Sequence, residues 1–307
     1  MSNESKNARQ FAGRAYGKVG RILGRYLGDD FMKAGEPGYH RPDAADTPWS
    51  PMPDLRAIEG AFCNICRWRG EAFSGGSHAE FAWCPACGSN GRDRFVHWCL
   101  SESVELSPAL RVIECSPRMG PAYRSAMATW FFYRTSDYDM RAHEGNLHLD
   151  LQAIDLPDAC LDVVLCAHVL EHVPDTDKAL GELRRVVAPG GHLLLQVPLL
   201  QGTTAPPSEP EFHGDDTPVF WRFGFDLTQR LRDVGFATNL LCTSQMLDAV
   251  RSGENPWPGW SGEFDLPDML AGAVADDLVV VADRQQSARL GVEPGYMHFT
   301  WDCRVPT

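Results

Sequence analysis

Long apolar runs are missing from this 307-residue sequence. No stretch reaches the roughly 18 to 20 apolar residues that a membrane-spanning helix needs, so we expect no transmembrane segment. The first residues also lack the apolar centre of a secretory signal peptide, which predicts a cytoplasmic location. Hydrophobic residues at 44% and charged residues at 22% are ordinary for a globular protein, and this composition excludes a largely disordered chain.

Positive charge is scarce as well. The chain has 28 Lys and Arg against 41 Asp and Glu, a net charge of −13, and nucleic acid is therefore not an expected partner. Basic residues gather in residues 1–33, whose net charge of +4 leaves −17 for the remainder. We interpret residues 1–57 as a basic N-terminal arm and linker. The arm either packs on its own chain or forms a partly ordered leader, or it is an amphipathic helix that binds a membrane or a partner.

The ten cysteines do not follow a disulfide pattern, because four of them form two Cys-x-x-Cys pairs and the others are scattered. Cys63 and Cys66 form the first pair, and Cys84 and Cys87 form the second after 17 intervening residues. Two such pairs complete a tetrahedral shell for Zn²⁺ and leave no open position, so the metal is expected to be structural. We predict a four-cysteine zinc-ribbon module over residues 58–103, with a β-hairpin between the pairs; an iron–sulfur cluster and four unbound buried cysteines are the alternatives.

Two arginines follow the second cysteine pair closely. Arg92 and Arg94 lie in the segment Gly88–Phe95, next to the predicted metal site. They either fasten the ribbon to the following domain or line a substrate entrance, and docking is the favoured interpretation.

Residues 110–198 alternate short apolar strands with polar turns and one helical pattern. The predicted strands cover residues 110–114, 130–136, 146–150, 161–167 and 192–197. The helix is predicted over residues 177–187, where apolar residues recur at helical spacing, and Pro189-Gly-Gly ends it. This order predicts a parallel α/β unit whose ligand site lies at the carboxyl ends of the strands. Two further strands are predicted at residues 236–242 and 278–282, both antiparallel.

The residues that follow these strands resemble the class I S-adenosylmethionine-dependent methyltransferases, in particular the type 11 group. Three strands end on Glu114, Asp137 and Asp150, and a His-Val-Leu-Glu-His run begins at His168. The resemblance implies an α/β fold over residues 104–307, with a Rossmann-like, seven-stranded and mostly parallel sheet.

The resemblance also implies roles for individual residues. Asp137, with Asp139 in reserve, would accept the ribose hydroxyls of S-adenosylmethionine, and Asp150 and Leu151 would contact the adenine. His168 would meet the cofactor or the acceptor, or serve as a structural hydrogen-bonding group. The predicted cofactor-binding residues are Glu114, Ser116, Gly120, Asp137, Asp150, Leu151 and His168.

The glycine-rich turn of the family is mostly absent. Its place is taken by Cys115-Ser-Pro-Arg-Met-Gly120, where Ser116 and Arg118 occupy the positions of two glycines. This departure keeps a non-catalytic homologue among the hypotheses. One subgroup of the family has a similar turn. Its members also have an N-terminal zinc ribbon with four cysteine ligands and an element that corresponds here to Cys84-Pro-Ala-Cys-Gly-Ser-Asn-Gly-Arg-Asp-Arg94.

A polar segment over residues 199–224 is predicted to be a lid loop. His213 and Arg222 within it are candidates to deprotonate and to orient an acceptor, beside His168 as a third catalytic candidate. A solvated loop without chemistry is the alternative. An irregular insertion at residues 250–276 carries Trp257 and Trp260, which stack on a ring substrate or fill a subunit contact.

These features predict an enzyme that transfers a methyl group from S-adenosylmethionine to a small-molecule acceptor such as a metabolite, a sugar or a natural product. Two alternatives remain open: a zinc-ribbon scaffold with a non-catalytic methyltransferase-like domain, and an RNA or protein methyltransferase. The acceptor atom and the oligomeric state stay open, a homo-oligomer included.

Overall fold

The computed structural model describes residues 52–76, 78–140, 146–199, 201–213, 216–255, 270–293 and 299–307. The basic arm and both tryptophans of the insertion, Trp257 and Trp260, lie outside these residues. No helix within the described ranges has the length and the apolar composition to cross a bilayer.

Two small hairpins and a helix surround the four paired cysteines. Strands β1 (Ala61–Phe62) and β2 (Arg69–Gly70) bracket the first pair, and strands β3 (Ser74–Gly75) and β4 (Ala82–Trp83) form the predicted hairpin between the pairs. Helix α1 (Gly91–Ser103) follows. Asn90 and Asp93 close a capping box at its start, which satisfies amides that the first helical turn leaves without partners.

The remaining strands build the central sheet and one small hairpin. The sheet strands are β5 (Arg111–Cys115), β6 (Phe132–Asp137), β7 (Leu147–His148), β8 (Leu161–Ala167), β9 (Val187–Gln196), β12 (Ala237–Thr243), β13 (Leu278–Ala282) and β14 (Thr300–Arg304). Their order is β13-β12-β14-β9-β8-β5-β6-β7. Strand β14 is antiparallel to β9 and β12, and the other neighbouring strands run parallel. The short strands β10 (Glu211–Phe212) and β11 (Pro218–Val219) pair with each other.

Helices cover both faces of the sheet, which gives three layers. The further helices are α2 (Pro121–Trp130), α3 (Thr176–Val186), α4 (Leu227–Asp233), α5 (Ser244–Ser252) and α6 (Arg284–Leu290). Apolar residues of α3, α4 and α5 pack on one face, while α1, α2, α6 and the cysteine hairpins share a core on the other. Because both faces are covered, a central strand such as β8 is apolar at every position except Asp162.

The predicted α/β class and the mostly parallel sheet are confirmed. The predicted number of seven strands is wrong, since eight strands pair within the described residues. The antiparallel orientation predicted for residues 236–242 and 278–282 is wrong as well, because β12 and β13 run parallel to each other and in the same direction as β9. Helix α5 lies in the connection from β12 to β13, and parallel neighbouring strands need a crossover connection of this kind. The antiparallel strand is β14 instead, and the sequence pattern did not reveal it.

Candidate functional site

A cavity of about 410 Å³ lies at the carboxyl ends of β5, β6, β7 and β8. The chain reverses its direction of winding here, because β6 lies on one side of β5 and β8 on the other. Open parallel sheets bind ligands at such a switch point. The volume falls within the range of roughly 300 to 1,000 Å³ that is typical of small-molecule sites. The wall includes Ser116, Arg118, Asp137, Asp150, Leu151, His168, His172 and Phe220.

Ser116 and His168 occupy equivalent positions, directly after β5 and β8. Both have a left-handed backbone, with φ of 49° and 56°. Their amides still join the sheet, since Ser116 N donates to Ser136 O at 2.6 Å and His168 N donates to Gln196 O at 2.8 Å. This conformation costs a non-glycine residue about 1–2 kcal/mol. It turns the chain sharply at the two strand ends that flank the switch point.

Asp137 ends β6 and is 7% exposed. Its carboxylate accepts a hydrogen bond from Ser116 Oγ at 2.8 Å and another from Asp139 N at 3.1 Å. These two contacts hold the carboxylate against the cavity wall, to which Asp139 also contributes.

Asp150 and Leu151 follow the edge strand β7. Asp150 accepts a hydrogen bond from Gln152 N at 2.8 Å, and Leu151 is buried. The neighbouring strands β6 and β7 thus bring two carboxylates and an apolar side chain to one side of the cavity.

Two predicted cofactor residues lie outside the cavity wall. Glu114 is buried and accepts hydrogen bonds from the hydroxyls of Tyr123, at 2.9 and 3.1 Å, and Tyr133. Burial raises the pKa of Glu114 to about 7, although the hydrogen bonds from the two tyrosines lower this pKa. Gly120 is the N-cap of α2, and among the described residues nothing lies within 4 Å of where its Cβ would be.

A short 3-10 turn, Leu170–His172, follows His168 and buries Glu171, which is 1% exposed. His168 Nδ1 and His172 Nε2 each lie 3.8 Å from Glu171 Oε1. Burial raises the pKa of Glu171 to about 7, while its own backbone amide, Arg92 and then Arg118 lower it. Burial also lowers the pKa of His168 well below its usual value, so this imidazole is neutral.

The lid hairpin, defined as β10, β11 and the residues up to Arg222, covers the other side of the cavity. Its residues Thr217, Pro218 and Phe220 contribute to the cavity wall. The ring of His213 packs edge-on against the ring of His172, with centroids 4.6 Å apart. Arg222 points elsewhere and forms an ion pair with Glu211 at 2.8 Å.

Sequence reasoning identified neither Phe220 nor His172 as a wall residue. Phe220 carried no motif, because a single aromatic in a polar loop looks like any surface residue. His172 belonged to a recognised run, but its place in the wall depends on the lid hairpin 46 residues later.

The four paired cysteines converge as predicted. All four Sγ atoms lie within 4.8 Å of one another, with Cys63 and Cys87 at 3.7 Å and Cys66 and Cys84 at 3.6 Å. A hydrogen bond with Cys66 raises the pKa of the Cys63 thiol, and one with Cys63 lowers the pKa of Cys84. A cation at the centre of the cluster would be held by all four sulfurs.

Arg94 fastens this cluster to the sheet domain. Its guanidinium is fully buried and donates to the carbonyls of Ala82, Ser89, Leu290 and Gly291, at distances from 2.5 to 3.2 Å. It also lies over the ring of Phe73, at 3.6 Å from the ring centroid. Of the two predicted alternatives, the structure gives Arg94 the docking role.

Comparisons with known proteins show that residues 134–195 match a family described as a methyltransferase domain. This stretch runs from β6 to β9 and contains Asp137, Asp150 and His168. It confirms the resemblance to methyltransferases for this part of the chain.

Two curated proteins match shorter stretches. The probable methyltransferase ltbC of Aspergillus luteorubrus is 47% identical over 53 residues, which are 16% of this chain and 18% of that protein. The demethylmenaquinone methyltransferase of Thermus thermophilus is 45% identical over 49 residues, which are 16% of this chain and 22% of that protein. The chain thus spans less than a quarter of the length of these relatives.

Among solved structures, an S-adenosylmethionine dependent methyltransferase from Mesorhizobium loti is 16% identical, with a TM-score of 0.36. The match covers 47% of this chain and 83% of that chain. A structural similarity this low supports no conclusion about the fold or the function of this chain.

Proposed function

We propose that the protein is a class I methyltransferase that transfers a methyl group from S-adenosylmethionine to a small-molecule acceptor. One observation carries the proposal: Asp137 and Asp150, at the ends of two neighbouring strands, line one cavity at the switch point of the sheet. The methyltransferase-domain match over residues 134–195 supports it.

The cavity wall suits the parts of this cofactor. The carboxylate of Asp137 is an acceptor for the ribose hydroxyls, and Asp150 accepts from the adenine amino group while buried Leu151 offers an apolar contact for the ring. The sharp turn at Ser116 and the turn at His168 bring backbone to the middle of the cavity, where the methionine part belongs. In this proposal Glu114 supports the end of β5 from within the core and Gly120 begins helix α2, and neither contacts the cofactor.

Bound S-adenosylmethionine supplies an electrophilic methyl group. The protein then has to hold an acceptor in line with that methyl group and exclude water, and alignment alone is worth up to about 7–11 kcal/mol. The lid hairpin provides the wall for the acceptor, with Pro218 and Phe220 as apolar contacts. Neutral His168 provides a hydrogen-bonding group at the end of β8. The ring of His213 packs against His172, and Arg222 forms an ion pair with Glu211.

We further propose that the cysteine cluster is a zinc ribbon with a structural Zn²⁺. A tetrahedron with Zn–S bonds of about 2.3 Å has edges of about 3.8 Å. The separations of 3.7 Å for Cys63 and Cys87 and 3.6 Å for Cys66 and Cys84 are close to this value. The four thiolates fill the coordination shell, so the metal takes no part in the transfer.

Calorimetry with S-adenosylhomocysteine and metal-replete protein tests the proposed function. We expect saturable binding, and a loss of affinity of about 10- to 100-fold in Asp137→Asn, because a charged acceptor is replaced by a neutral one. Asp155→Asn is the matched control, since Asp155 is exposed and lies outside the cavity wall. Absence of binding to the unmodified protein would contradict the proposal.

A further inference from the structure

The turn Leu170–His172 holds the lid hairpin through its main chain. The carbonyl of Glu171 accepts hydrogen bonds from the amides of Phe220 at 2.8 Å and Trp221 at 3.3 Å. Because Phe220 lines the cavity, these two bonds keep one side of the cavity wall in place.

Side chains add three further contacts between the turn and the lid hairpin. His172 Nδ1 lies 2.7 Å from the carbonyl of Pro218, and a carbonyl only accepts, so Nδ1 carries the proton in this contact. Trp221 Nε1 donates to the carbonyl of Pro174 at 3.0 Å. The ring of His213 packs on the ring of His172. Five contacts thus fasten the lid hairpin to the short segment 171–174, and its last residue, Arg222, also pairs with Ala205.

The side chain of Glu171 is buried at the turn whose carbonyl holds the lid hairpin. It is 1% exposed, and within the described ranges neither of its carboxylate oxygens has a hydrogen-bond partner from another residue. His168 and His172 approach one oxygen no closer than 3.8 Å, and the cations Arg92 and Arg118 act on it only through space. A buried carboxylate in such surroundings is tolerated as a neutral acid and is costly as an anion.

Ionisation of Glu171 therefore opposes the closed arrangement. Hydration of the carboxylate relieves this charge and requires the turn to move. Because the carbonyl of Glu171 accepts from Phe220 and Trp221, such a movement also releases the lid hairpin. His168 cannot supply a compensating charge, since its burial keeps it neutral. We propose that Glu171 is a proton-dependent latch: the lid hairpin stays closed on the cavity while Glu171 is protonated, and it opens more often when Glu171 is ionised. The proposal does not depend on the reaction that the cavity supports.

Hydrogen exchange at the amides of Phe220 and Trp221 tests the latch, because both amides donate to the Glu171 carbonyl. Protection factors, corrected for intrinsic exchange rates, are measured on the ligand-free protein between pH 6 and pH 8.5. With a pKa of about 7 in the closed state and 4.5 for a hydrated glutamate, we expect protection to fall about tenfold over this range. In Glu171→Gln, which cannot ionise, it should stay constant within about twofold.

Two further variants complete the experiment. Glu254→Gln removes an exposed carboxylate and should keep the tenfold fall of the unmodified protein. His172→Phe keeps a ring against His213 but loses the donor to Pro218, and protection should drop at both pH values. The latch is refuted if the unmodified protein and Glu171→Gln show the same pH dependence, or if His172→Phe is as well protected as the unmodified protein.

Discussion

Glutamine in place of Glu171 should stabilise the folded protein at pH 8, although it alters a group beside the cavity. The pKa of Glu171 is raised from 4.5 to about 7 by burial. A folded-state pKa above the unfolded value means that this group contributes stability below about pH 4.5, and that the contribution is lost as the pH rises through about 7. Each pKa unit corresponds to about 1.4 kcal/mol, so the full loss is about 3 kcal/mol.

Glutamine has the same shape and cannot ionise, so Glu171→Gln should escape this loss. We expect its free energy of unfolding, relative to the unmodified protein, to be about 1–3 kcal/mol higher at pH 8 than at pH 5. Urea unfolding of metal-replete protein at the two pH values, followed by tryptophan fluorescence, measures this difference. An equal effect at both pH values would show that ionisation of Glu171 does not oppose folding.

Glu114→Gln provides the matched contrast. Burial raises the pKa of Glu114 to about 7 as well, but its carboxylate accepts hydrogen bonds from Tyr123 and Tyr133. The amide nitrogen of glutamine cannot accept, and losing a hydrogen bond to a charged group costs about 1.5–3 kcal/mol. We therefore expect little or no gain at pH 8. The same stabilisation in both variants would indicate that the hydrogen-bond partners are unimportant.

Two predictions concern the cysteine cluster. Metal analysis of purified protein should find zinc in a ratio of about one ion per chain, and Cys84→Ser should lose it, because three thiolates hold the ion far more weakly than four. A zinc content that Cys84→Ser leaves unchanged would contradict the site. Arg94→Lys should lower the free energy of unfolding by about 3 kcal/mol or more, because an ammonium cannot reach all four carbonyls that the guanidinium serves. Urea unfolding measures this loss. The variant Arg69→Lys serves as the control, because Arg69 is exposed.

Much of the fold was predictable because its signals are local. The apolar run Leu161–Ala167 matches β8 residue for residue, since a strand covered on both faces needs apolar side chains at nearly every position. Asp137 and Asp150 were predictable as wall residues for a related reason: the ends of parallel strands meet at one edge of the sheet. The spacing of Cys63, Cys66, Cys84 and Cys87 predicted their convergence, because each short turn places two sulfurs side by side.

Other features depended on the choice of distant partners. Strand β14 is only five residues long, and its place between β9 and β12 follows from pairing with residues far away in the chain, such as Cys303 with Thr238. Glu171 belongs to the His-Val-Leu-Glu-His run, but its burial comes from the packing around the turn and was not predicted from the sequence. His172 lies in the cavity wall and contacts the carbonyl of Pro218, 46 residues later in the chain. Arg222 forms an ion pair with Glu211 and does not line the cavity.

The sequence by itself thus determined the α/β class, the strand ends that build the cavity and the convergence of the four cysteines, because periodicity and spacing report local geometry and burial. Only the tertiary structure decided the strand order at the far edge of the sheet, the docking of Arg94 and the latch at Glu171. Those features arise where segments far apart in the chain pack together, and burial and charge compensation there depend on both segments at once.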